Sequence, residues 1–116
     1  MQLDAMPRGR DLLVAVREDR IDAAVAVQFK DAMRQVTEGG PARVVLDLSQ
    51  VGFLDSSGLG ALVAAMKVLG PSRRLDLMAP TPAVQKVFRL TRMDTVFAIF
   101  PDEDSAFGIG DLAHAG

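Results

Sequence analysis

The 116-residue chain has no cysteine, tryptophan or tyrosine, and a single histidine. Without cysteine there is no disulfide, no thiolate nucleophile and no Cys-based metal site, and a reducing cytoplasm is the expected home. With six phenylalanines as the only aromatics, stacking platforms for bases or sugars are lacking. Net charge is -2 and the pI about 5.2, so no basic field exists to hold a phosphate backbone, and nucleic acid is not an expected partner. The N-terminus has no apolar segment of signal-peptide length. The longest apolar stretch, Leu59 to Leu69, is interrupted by Lys67 and preceded by Asp55, so no membrane span is expected.

What is present is an ordinary globular composition, 49% hydrophobic and 24% charged, of a length that suits a single domain with a real core. No repeat or linker divides it. "DLLVAV" (Asp11 to Val16) reads as a strand, with "MQLDAM" a candidate to pair beside it. Asp22 is a candidate N-cap for a helix of about fifteen residues, on which Val25, Phe29, Ala32, Met33 and Val36 share one face. Val27 lies off that stripe, either extending a docking surface or partly buried against the sheet, the second being favoured. "GGP" at 39–41 stops the helix, and "ARVVLDLS" has the unbroken apolar character of a strand covered on both faces. A helix runs from "DSSG" to Leu69 and stops at Gly70-Pro71. "RRLDLMAP" is a strand, Thr81-Pro82 opens a helix with Val84, Val87 and Phe88 in its core stripe, "TVFAIF" is a last strand, and "DEDSAFGIGDLA" a short terminal helix. The alternation predicts an α/β fold, a mixed, partly parallel sheet flanked by about four helices.

The joint "DSSG" stands out. A helix N-terminus presents free N–H donors and about half a positive charge, so it favours carboxylates, hydroxyls and phosphate. Asp55, Ser56 and Ser57 are all good capping residues, and capping alone would explain them. Gly58 and Gly60, however, each cost a helix about 1 kcal/mol relative to alanine, which a mere cap does not require. Small residues there let a backbone or a ligand come close. Leu59, Leu62, Val63, Met66 and Leu69 form the expected core stripe. Gly60, Ala61, Ala64, Ala65 and Val68, with only Lys67 charged, make the opposite face. A small, uncharged face suits docking of another protein, or burial by a further element of this chain.

The run "VVLDLSQVGFLDSSGLGAL", Val44 to Leu62, resembles the signature of STAS domains, in particular the bacterial anti-sigma factor antagonists. "RIDAAVAVQF" and "LDLMAP" before "TPAVQKVF" also follow that family, and the similarity spans about residues 10–107 of one domain, 1–116. The resemblance implies that Ser56, directly after Asp55, is phosphorylated by a partner anti-sigma factor that is itself a serine kinase, with Ser57 the alternative acceptor. It places Asp22, Asp55, Ser56 and Ser57 at the partner-binding surface, to which the small-residue pattern adds Gly58, Gly60, Ala61 and Ala64. The unphosphorylated chain would bind the anti-sigma factor and release the sigma factor, and a PP2C-type phosphatase would restore it. ATP and magnesium would belong to the kinase, so no cofactor or metal is expected here, and a monomer or weak dimer is the expected state. Two glycines common in the family are Asp19 and Arg92 here, which bears on loop detail and partner choice.

Other classes fit less well. A serine hydrolase needs a base, but the only histidine, His114, is the third residue from the end and is expected to be a tail residue, and "DSSGLG" is not the G-x-S-x-G elbow. No G-x-x-x-x-G-K-[ST] occurs, and the acids at 102–105 read as a solvated helix start rather than a metal site. The chain is therefore not expected to be an enzyme. A scaffold or lipid-transport subunit of the same fold, holding fixed partners without a phosphoswitch, is the alternative. The pairs Arg73-Arg74 and Arg8-Arg10 are expected to be solvated.

Overall fold

A computed structural model of the chain describes residues 1–108. His114 and the end of the expected terminal helix lie outside them. The described elements are β1 (Leu3–Arg8), β2 (Asp11–Val16), β3 (Arg20–Ile21), α1 (Ala26–Thr37), β4 (Arg43–Asp47), β5 (Phe53–Leu54) and α2 (Ser56–Leu69). There follow β6 (Arg74–Met78), α3 (Pro82–Leu90), a 3₁₀ turn (Met93–Thr95), β7 (Ile99–Phe100) and α4 (Glu103–Phe107). The main sheet has the order β1-β2-β4-β6-β7, antiparallel only at β1–β2 and parallel elsewhere. Gly9, at φ +60°, supplies the positive dihedral that the two-residue hairpin turn demands. The expected mixed α/β sheet flanked by helices is thus present.

Register separates the two faces, because side chains alternate along each strand. Leu12, Val14, Val44, Leu46, Leu75 and Leu77 pack with Phe29 and Met33 of α1, Leu62 of α2, and Val84 and Phe88 of α3 in one core. The opposite face carries Leu13, Val45 and Met78 under Ala106 of α4. It also carries Asp76, only 2% exposed, whose burial as an unpaired charge would cost several kcal/mol. Arg43 donates to Asp76 at 2.7 Å and to Asp11 at 2.9 Å, and Arg74 donates to Asp76 at 3.1 Å. Burial works against the charge on Arg43, but its bonds to Asp76 and Asp11 outweigh this and raise its pKa. The guanidinium also lies 5.4 and 5.5 Å from the rings of Phe100 and Phe107. Arg8 stacks over Phe107 and pairs with Glu103, anchoring α4 to β1. Asp102 caps α4, and the bond from the Ser105 backbone N–H holds its carboxyl below the ordinary carboxylate range.

Several expectations change. The first helix begins at Ala26, because Asp22 accepts from the Ala24 N–H and its carbonyl from the Val25 N–H, forming a turn instead. Only Ile99–Phe100 of "TVFAIF" is strand. Ahead of it Arg92 takes φ +60°, and the Val96 and Phe97 N–H groups close a turn on the Met93 carbonyl. Arg92 therefore takes a left-handed backbone, the conformation expected where the resemblance would have a glycine. The basic pairs are not simply solvated either. Arg73 donates to the Thr37 and Pro41 carbonyls, and Arg8 and Arg74 make the pairs just described.

The joint between β5 and α2

The site grows from a two-residue ladder outside the main sheet. Arg20–Ile21 pairs in parallel with Phe53–Leu54, and Gly52 N–H donates to the Asp19 carbonyl at 2.8 Å. This brings the chain entering α1 beside the chain entering α2. Asp55 then joins them with one carboxylate. Its Oδ1 accepts from the Gly58 N–H at 2.8 Å, capping α2, while Oδ2 accepts from the Ala23 N–H at 3.1 Å. Asp22 is thereby fixed next to the joint, with Arg20 3.8 Å from its other oxygen.

Ser56 and Ser57 occupy the first two helical positions and are exposed. Neither hydroxyl has a hydrogen-bond partner among the described residues, and their backbone N–H groups are the unpaired donors of a helix start. Gly58 is different. A Cβ there would lie 1.9 Å from the Ile21 carbonyl oxygen and 2.8 Å from Leu54, so only glycine lets α2 meet β3. The expectation that Gly58 contributes to a docking surface is therefore corrected: it is buried against its own chain.

The expected core stripe of α2 is present but wider. Leu62 and Leu69 are buried and Leu59, Val63 and Met66 pack half-buried against the core, while Ala61 and Ala65 from the expected opposite face are buried as well. The alanines let α1 pack closely along α2, so part of the small-residue face is covered from within, and Ala61 is 6% exposed. Gly60 is exposed and Ala64 half-buried. With Val27, Lys30 and Ser57 they line a groove of about 160 Å³ between α1 and α2, and Ala61 forms part of its floor. Val27 is 68% exposed, not buried against the sheet. Phe53, half-exposed beside the joint, and Lys30 in the groove had no distinguishing signal in the sequence. Their positions depend on how β3 and α1 approach α2.

The model of the STAS domain family matches residues 3–106. The chain belongs to that family. This STAS domain is 31% identical over 80 residues to RsfB of Mycobacterium tuberculosis, an anti-sigma-F factor antagonist, covering 69% of this chain and 66% of RsfB. It is 34% identical over 92 residues to the anti-sigma-B factor antagonist of Listeria monocytogenes, covering 77% and 76% of the two chains. The crystal structure of an anti-sigma factor antagonist from Mycobacterium paratuberculosis superposes with a TM-score of 0.80 at 30% identity, covering 90% of this STAS domain and 89% of that chain. These relatives are named as regulators, not as enzymes. Among the described residues no helix is long and apolar enough to cross a membrane.

Proposed function

We propose that this STAS domain is a phosphorylation-controlled ligand of an anti-sigma factor that is also a serine kinase. Unphosphorylated, it binds that protein and frees the sigma factor; phosphorylated on Ser56, it lets go, until a PP2C-type phosphatase removes the group. The observation that carries this reading is the exposed, unpartnered Ser56 hydroxyl at the first position of α2, directly after a carboxylate pinned at both oxygens. The names of the relatives support the class of partner.

Phosphorylation would add a charge of about -1.5 to -2 and three acceptor oxygens. Within the domain, the free N–H groups and dipole of α2 favour that charge. Across a close interface it meets desolvation and the neighbouring Asp55 carboxylate. A hundredfold loss of affinity needs only about 2.7 kcal/mol, so local electrostatics suffice and no refolding is required. Incubation with the cognate anti-sigma factor, ATP and magnesium is the test. Ser56→Ala should abolish phosphate incorporation while keeping binding, and Ser56→Asp should weaken binding about a hundredfold. Full incorporation into Ser56→Ala with none into Ser57→Ala would move the acceptor to Ser57.

A further inference from the structure

The groove between α1 and α2 does not end at Ser57. Beyond Gly60 it continues past Ala64 into a wider depression of about 450 Å³ bounded by Lys30, Asp31, Arg34, Lys67 and Val68. Its floor is small and uncharged, and exposed valines stand on its lips, Val27 from α1 and Val68, 48% exposed, from α2. Its rim is basic. Arg34 pairs with Asp31 at 3.6 Å, but neither Lys30 nor Lys67 has a carboxylate within ion-pair distance among the described residues. This local surplus of positive charge sits on a chain whose acidic residues outnumber its basic ones, 15 to 13.

We infer that this groove receives an amphipathic helix of the partner, with its apolar stripe along Gly60 and Ala64 between the two valines, and its carboxylates toward Lys30 and Lys67. The inference rests on the reading above in one respect: the groove opens at Ser57, so its occupant and the protein touching Ser56 are the same molecule. From Ser57 to Val68 the groove offers about 16 Å of α2, matching roughly three turns of helix. A second copy of this chain fits poorly, because a two-fold contact through this face would oppose the lysines to one another. An acidic-flanked helix satisfies both cations while covering the valines.

The test uses the intact, isotope-labelled protein and two stapled helical peptides of about sixteen residues. Both carry one leucine-alanine face; one has glutamates on its flanks, the other lysines. The glutamate peptide should bind at least tenfold tighter, with amide shift changes confined to α1 and α2, and the double variant Lys30→Glu/Lys67→Glu should invert the preference. Equal affinities, binding by neither peptide, shifts elsewhere, or an unchanged preference in the double variant would each overturn the inference, as would dimerisation of the wild-type chain through this face. Phosphorylation of Ser56 is read separately. Wild-type incorporation and kinase binding by the double variant would sink the groove and leave the phosphoswitch standing, whereas absence of incorporation into the wild type would do the reverse to the phosphoswitch.

Discussion

The inner and outer flanks of α2 are built from the same kinds of residue and do opposite things. Inward, Gly58 exists because the Ile21 carbonyl occupies the place of its missing side chain, and Ala61 and Ala65 let α1 come close. Outward, Gly60 has nothing within 4 Å of where a Cβ would stand, and Ala64 lines the groove beside it. Small size is a steric necessity on one flank. On the other, nothing inside the molecule requires it, which is why a surface function is the better account there. Residue volume alone cannot separate these cases; the neighbour that would be struck can.

The sharpest way to break the contrast is Gly58→Ala. Its added methyl meets backbone rather than a flexible side chain, so a loss of about 3 kcal/mol or more is expected, lowering the melting temperature by more than about 10 °C. Retained stability would mean that β3 yields easily and that the inner flank is no tighter than the outer. Next in size is Asp55→Ala, which removes both the cap on α2 and the tether to Ala23. A loss of about 2 kcal/mol in denaturant unfolding is expected, with faster hydrogen exchange at the Ala23 and Gly58 amides; Asp55→Asn should fall between, since its amide nitrogen cannot accept the second bond. Smallest, and opposite in sign, is Gly60→Ala. Removing a helix glycine without a clash should stabilise by up to about 1 kcal/mol while reducing affinity for the partner. A Gly60→Ala variant with unchanged partner binding would deny the outer flank its proposed role.

Much of this architecture could be read in advance, for local reasons. The unbroken apolar run of β4 announced a doubly covered strand, and Thr81-Pro82 opened α3, with the Thr81 hydroxyl near the Val84 N–H at 3.5 Å. Asp55 was legible as a cap because a cap is a three-residue affair. Its second bond, to Ala23, was not, since that partner lies 32 residues away in sequence. The β3–β5 ladder escaped for the same reason: two residues carry no period, and only the approach of distant segments makes them strand. The large residues of α2 do pack in or against the core, but Ala61 and Ala65 join them, because close packing against α1 selects small side chains that carry no apolar signal of their own. In "RLDLM", alternation places Asp76 opposite Leu75 and Leu77, so a charge had to lie under whatever covers the second face of the sheet.

That second face has an implication for biogenesis. Among the described residues, α4 is the element that roofs Leu13, Val45 and Met78, and it follows every described strand of the sheet in chain order. A nascent chain whose strands have already aligned would carry a greasy strip until residues 103–107 emerge and Arg8 and Arg43 grip them. Release just short of Glu103 would yield a polypeptide with a nearly complete sheet and an open invitation to chaperones or to aggregation.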